Sequence, residues 1–310
     1  MVTTQHRISW LGRRQARPGQ PVSSYSRRGR YLLFVVPAIV VTLAVIIFPW
    51  LYTIYMSVHD WQVGMPRIYI GLENYANLIN DTRFREAVWR TFVYTVFAVV
   101  CPTVVGTIAA LFFHQEFPLR GLVRTVYLLP MIATPVAIAL VWTMMFHPQL
   151  GVLNYLLSLV GIPPSRWIYD QDTVIPTLVL VETWQWTPLV MLIVLGGLAS
   201  LPSEPFESAL IDGASTFQIT RDLTLPLVMP FIMVAVVLRT IDALKSFDII
   251  YTMTQGGPGT ASETINIYLY LQAFAFFRIG QASAVVLVFF VIIVACSLVL
   301  LWVRQKTRWA

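Results

Sequence analysis

Charge is what this chain has least of. Only 12% of its 310 residues are Asp, Glu, Lys or Arg, against roughly 25% in ordinary soluble domains. That deficit excludes a surface covered mainly by water and leaves lipid as the covering medium. Cysteine is nearly absent too: Cys101 and Cys296 both sit in apolar runs. Neither has a His or a second Cys at ligand spacing, so both read as small hydrophobes and no disulfide or zinc site is expected. The four histidines, His6, His59, His114 and His147, are scattered and form neither an i, i+4 pair nor an H-E-x-x-H helix. No Gly-Lys pair occurs anywhere, which excludes a P-loop, and the glycines at 256–259 read as a turn. A G-x-S-x-G elbow is missing as well. The expectation is a chain with no catalytic residue, no metal ligand and no cofactor of its own.

What is present is hydrophobic residues, 57% of the total. About 20 apolar residues in helical form span a hydrocarbon core, and only helices or closed barrels satisfy the backbone there. Six segments qualify: 31–58, 91–113, 125–146, 174–200, about 225–253, and the run between Arg278 and Arg304. The first is far longer than the apolar region of a cleaved signal peptide. With the N-terminus inside, the inner segments hold thirteen Lys and Arg, seven of them in residues 1–30, and the outer loops hold six. The positive-inside rule therefore places both termini in the cytoplasm. This asymmetry also accounts for the net charge of +6 without nucleic acid as a partner. The expected division is an Arg-rich arm over 1–30, a transmembrane domain over 31–303 and a short tail over 304–310. The outer loops, 59–90, 147–173 and the stretch after Thr254, are long enough to form a cap.

Polar groups within a membrane are costly and mark a pathway or a contact between helices. The fourth span carries Glu182, Trp184, Gln185 and Trp186. The two tryptophans are two residues apart, so a helix points them in different directions and only one faces a given cavity. The fifth carries Arg239, Asp242, Lys245 and Asp248, each three residues from the next. On one continuous helix that spacing makes a ladder of opposite charges. The ladder either neutralises itself within a bundle or lines a watery path for a polar solute. Tryptophan faces beside acids and amides suit a sugar, with its apolar ring faces and hydroxyl edges.

Between these spans runs ESALIDGASTFQITRDLTLP, residues 207–226. Phe206, Ala209, Leu210, Gly213 and Phe217 form a helical apolar stripe. Ser203 is placed to cap a first short helix and Ser215 or Thr216 a second, with a break at Gly213. Leu225-Pro226 biases the chain toward extended geometry before the fifth span. A short amphipathic helix outside the bilayer buries its apolar face on its own bundle, at the lipid interface or in a partner's groove.

Glu207-x-Ala209, Asp212-Gly213-Ala214, Phe217 and Leu225-Pro226 resemble the "EAA" motif of ABC importer permeases, with Ser208 replacing the middle alanine. GLENYANLI, GVLNYLL with GIPP, LPSEPFESALIDGAS and TQGGPG are similar to the carbohydrate-uptake permeases related to the maltose and glycerol-phosphate systems. The likeness covers roughly 31–303. It implies an all-α integral membrane protein of six transmembrane helices, with a cytoplasmic coupling helix between the fourth and fifth, in the plasma (inner) membrane. It also implies that two copies of a separate ATPase subunit bind the ATP and receive the 201–226 loop. A second homologous permease and an extracytoplasmic solute-binding lipoprotein are the other implied partners. By the motif, Glu207, Ala209, Asp212, Gly213, Phe217, Leu225 and Pro226 are the coupling residues. The solute path is expected among Glu182, Trp184, Gln185, Trp186, Asp242, Lys245 and Asp248. An ion-coupled carrier driven through the Arg239–Asp248 ladder is the alternative, and it has no evident need of the insert.

Overall fold

The computed structural model describes residues 25–306, with side chains from 34 to 305. The arginines of residues 1–30 and the residues Lys306 and Arg308, on which the cytoplasmic arm and tail rest, lie outside the described side chains. The chain divides after Leu51 into two compact units. The described part of the first belongs to one helix, α1 (Tyr25–Ser57), which continues through Pro37 and Pro49. Its apolar stretch from Phe34 has a mean hydropathy of 2.6 and is largely exposed as far as Tyr55, while Met56 and Ser57 are buried.

The regular structure of the second unit is helical apart from a hairpin of two-residue strands, in which His59–Asp60 (β1) pairs antiparallel with Ile68–Tyr69 (β2), and an isolated bridge between Gln62 and Arg278. α2 (Glu73–Asn80) follows, and then α3 (Thr82–His114), capped by Asp81, whose carboxylate accepts from the backbone N–H groups of Arg83 and Phe84. α4 (Arg120–Ile132) and α5 (Pro135–Met145) lead through the short α6 (Val152–Leu159) to α7 (Val174–Leu198). The insert holds α8 (Glu204–Ile211) and a single turn, α9 (Thr216–Gln218). After it come α10 (Leu225–Leu244), α11 (Asp248–Thr254), α12 (Ile265–Tyr270) and α13 (Ile279–Lys306). Five helices among the described residues are long and apolar enough to cross a membrane, and six spans result if α4 and α5 count as one.

Two of the expected continuities fail. The third span is broken: α4 and α5 meet at 99°. Pro135 opens α5 and Thr134 is extended (φ −68°, ψ 139°), the conformation proline favours in the residue before it, and Ala133 is extended beside it. The fifth span ends at Leu244 and restarts at Asp248, so Arg239, Asp242, Lys245 and Asp248 share no single helix. The carbonyl of Lys245 freed at that break accepts from Asn266 Nδ2 at 2.7 Å. Conversely, Leu225-Pro226 is helical where an extended turn was expected. Leu225 sits at φ −62°, ψ −45°, and a π-helical turn over Ile219–Thr224 runs into α10 without a stop. In that wider turn the Leu225 N–H reaches back to Thr220 O, and Pro226 at N1/N2 of α10 needs no donor.

The bundle is organised on α3 and α7. Lipid is as apolar as leucine, so the helices associate through close packing rather than hydrophobic expulsion. Gly106 of α3 permits this approach: a Cβ there would lie 2.7 Å from Val190 Cβ and 2.9 Å from Thr187 O. Tyr94, Ala98, Leu178 and Val181 make one buried cluster with Phe146 and Ile250, and Ala110, Val190, Met191 and Val194 make a second with Val228 and Ala235. At the end carrying the long loops, Tyr75, Leu78 and Phe84 pack with Tyr268 and Val285.

Candidate functional site

α7 presents two different faces, as its sequence suggests. Glu182 and Gln185 point inward and are buried at 3% and 1% exposure. Glu182 accepts from Arg239 Nη2 on α10, and both side chains are out of solvent. The guanidinium lies over the ring of Trp186, with Cζ 4.6 Å from its centroid, a cation–π contact in a dry setting. Arg239 is thus held by α7, 57 positions away in sequence, and not by its neighbours on α10. Asp242, Lys245 and Asp248 are exposed and make no ion pair among the described residues. The charge ladder read from the sequence does not form.

Trp184, two residues from Trp186 and so about 200° round the helix, faces the other way and is 44% exposed. It stands edge-to-face with Trp142 of α5, ring centroids 5.5 Å apart. Both line a cavity of about 1380 Å³ between α3, α7 and the bent α4–α5 pair. Its walls are mostly apolar, with Phe97, Tyr127, Pro130 and Ala133 opposite Thr183, Thr187 and Pro188. Ala133 belongs to the non-helical joint of α4 and α5. Irregular backbone at membrane depth is tolerated where it lines a cavity, and here it does.

At the opposite end, the insert is laid open. No residue of α8 or α9 is buried. Leu210, Ile211 and Phe217 are 64%, 87% and 71% exposed. Glu207 and Asp212 are exposed, Ala209 half-buried. Ser203 begins α8 but makes no side-chain cap, because its own φ/ψ (−80°, −27°) are helical, whereas a capping side chain needs extended backbone. The end of α8 is defined better. Gly213 has φ +76°, and a Cβ added there would meet nothing within 4 Å, so conformation and not space calls for glycine. Ala214 N–H bonds to Ala209 O and Gly213 N–H to Leu210 O, the paired closure of a Schellman motif. Ser215 then caps α9 reciprocally with Gln218. Each bend is set locally, so the insert keeps its shape without cover. Phe206 reaches back, with Ser203 and Thr220, toward a cleft of about 430 Å³ shared with Leu111, His114, Leu198 and Thr224. Leu225 is half-buried and Pro226 exposed at the foot of α10.

Residues 102–309 match the family described as binding-protein-dependent transport system inner membrane component. The chain belongs to this family. It is a membrane-spanning permease subunit of an ABC importer; it is not catalytic, and ATP hydrolysis is carried by a separate subunit. The permease is 34% identical over 280 residues to the trehalose/maltose transport system permease protein MalF of Thermococcus litoralis, covering 89% of this chain and 94% of that one. It is 32% identical over 262 residues to the sulfoquinovosyl glycerol transport system permease protein SmoG of Agrobacterium fabrum, covering 84% and 85% respectively. Its fold is that of a chain from a bacterial ABC transporter that imports the acidic polysaccharide alginate, with a TM-score of 0.79, 21% identity and coverage of 92% and 98%.

Some features of the permease escape sequence reasoning. Arg83 grips Glu263 through two hydrogen bonds, 2.8 and 2.7 Å, and Tyr268 donates to Asp81 at 2.7 Å. Thr91 accepts from the backbone N–H of Ile265 at 2.8 Å. These contacts fasten the 254–268 loop to the start of α3 across some 180 positions, and nothing local in the sequence signals them. Trp142 and Tyr127 are likewise hidden inside a run that reads as plain apolar helix.

Proposed function

We propose that this permease forms one half of the pore of an ATP-driven sugar importer, taking a disaccharide such as trehalose through the membrane by alternating access. The observation that carries the reading is the 203–226 insert: a locally capped, amphipathic projection on which Leu210, Ile211 and Phe217 are exposed. An ATPase subunit with a complementary groove would cover Leu210, Ile211 and Phe217. Glu207, Ala209, Asp212 and Gly213 would sit in the contact, and Leu225-Pro226 at the root. The unbroken helix from Thr216 to Leu244 would pass the movement of the insert directly to Arg239, and through Glu182 to α7.

The assembly we propose has two copies of that ATPase, a second homologous permease and an extracytoplasmic solute-binding lipoprotein seated on the long loops. Both termini are cytoplasmic, with 1–30 as an arm, 31–303 as the membrane domain and 304–310 as a tail. Sugar as cargo is supported by the trehalose/maltose and sulfoquinovosyl glycerol relatives, and by the motifs, which resemble the SugA permease of the mycobacterial trehalose importer. It is also supported by Trp184 and Trp142 beside the hydroxyls of Thr183 and Thr187. Of the other path candidates, Glu182, Gln185 and Trp186 lie in the frame between the helices, while Asp242, Lys245 and Asp248 are exposed and outside the lining of the cavity. The broken ladder removes the feature that an ion-coupled carrier would use.

The test is uptake of labelled trehalose and maltose by proteoliposomes holding the complex co-purified with tagged permease, beside Glu207→Arg. Sugar uptake that needs ATP and a co-purifying ATPase, both lost with Glu207→Arg, is the expected result. Uptake by the permease without any ATPase would overturn it.

A further inference from the structure

A polar cleft lies at the loop end, bordering the large cavity at Val93 and Ile175. It encloses about 390 Å³ between α3, the turns before α7 and the loop after α11, a volume in the range of small-molecule sites. Trp89 stands on its rim, 69% exposed. Around it are Gln171, Asp172 and Thr260, whose side chains make no hydrogen bond among the described residues. Arg90 completes the lining. Glu86 holds its Nη2 at 2.5 Å, while its Nη1 is buried and has no partner among the described residues. An indole face, a carboxylate, an amide, a hydroxyl and a guanidinium together provide every element a pyranose needs. The ring's C–H face stacks on the indole, and its hydroxyls both donate and accept.

The placement adds direction. Trp89, Val93, Phe97 and Cys101 recur every four residues and so share one face of α3. Val93, Phe97 and Cys101 wall the large cavity, and Val93 and Ile175 line both spaces. We propose that this cleft is an entry subsite for the sugar, occupied before the solute passes down the same face of α3 to Trp142 and Trp184. The proposal rests on the sugar reading above. A bare interfacial tryptophan anchored among lipid headgroups would give no reason for the buried Arg90 Nη1, without a partner among the described residues, beside it.

The test uses the full complex in proteoliposomes, with trehalose and maltose as probes and the binding protein in excess. Trp89→Leu keeps an apolar anchor but removes the stacking face. Asp172→Asn keeps the shape and removes the charge. Trp89→Phe keeps a ring. Uptake at subsaturating sugar is expected to fall about tenfold in the first two, the loss of one good contact, and less than about threefold in Trp89→Phe. ATPase activity without sugar should be unchanged in all three. Saturation-transfer NMR of trehalose on the complex without binding protein should weaken in parallel with uptake. Wild-type uptake and NMR signal in both Trp89→Leu and Asp172→Asn would overturn the subsite while leaving the sugar reading intact. A wild-type complex that imports neither sugar would overturn both.

Discussion

Two regions of this permease carry charge and aromatic residues between apolar runs, yet they end in opposite states. Around Glu182 and Arg239 every charged atom is withdrawn from solvent, and one acid, one base and one indole close on each other. In the insert from Glu204 to Asp222 the acids face outward and the apolar Leu210, Ile211 and Phe217 are bare. The physics differs because the surroundings differ. A lone charge among membrane helices is expensive, so Arg239 is tolerable only with its partner. At the membrane's edge water solvates Glu207 and Asp212 at little cost, so nothing obliges them to pair. The buried region uses its chemistry to hold the helices together, whereas the insert leaves its own free for another molecule.

The contrast breaks most sharply at Arg239. Arg239→Met strands a buried carboxylate and is expected to destabilise the detergent-solubilised permease by about 3–5 kcal/mol, seen as a lowered thermal midpoint. Combining it with Glu182→Leu should recover most of that loss, and a double variant as unstable as the single would show that the pair is not the cause. In the insert, Gly213→Val forces a β-branched residue to φ +76°, a strain of about 1–3 kcal/mol, while Gly213→Asn should cost much less because asparagine tolerates that region. Faster hydrogen exchange over 209–218 in the valine variant alone is the reading expected. Ser215→Ala removes one half of the capping box and should cost about 1 kcal/mol locally, opening 216–224 to exchange but leaving the midpoint of the bundle in place. The smallest stability effect belongs to Glu207→Arg, since the side chain is exposed and has no partner among the described residues. The thermal midpoint should not move, while solute-stimulated ATPase activity in the reconstituted complex should disappear. A shifted midpoint would mean that Glu207 serves the bundle rather than a partner.

Much of this could be read from the residues, for a physical reason that applies along the whole chain. Lipid imposes the same demand at every point, so apolar runs announce the spans by length alone. The insert is legible because its determinants are local: Gly213, Ser215 and Gln218 settle their own geometry with neighbours three to five residues away. The separation of Trp184 from Trp186 follows from helical angle. The joint at 133–134 is harder. Pro130 and Pro135 stand in the sequence, but prolines also occur inside α1, α3 and α7, which run on without stopping. Likewise the break at 245–247 has no proline or glycine to mark it; its freed carbonyl is met by Asn266, from a distant loop.

Hydrophobic length, capping and a left-handed glycine act over a few residues. The order of residues alone was therefore enough to indicate five or six helices long and apolar enough to cross a membrane, and the two short, locally capped helices of the projection between α7 and α10. Packing in three dimensions decided the rest: that Arg239 answers Glu182 and not Asp242, that Arg83 closes on Glu263, and that a bent pair of helices opens a tryptophan-lined cavity against α3 and α7. Those outcomes depend on which surfaces are brought within a few ångströms across 57 or 180 positions, and local sequence holds no record of such distances.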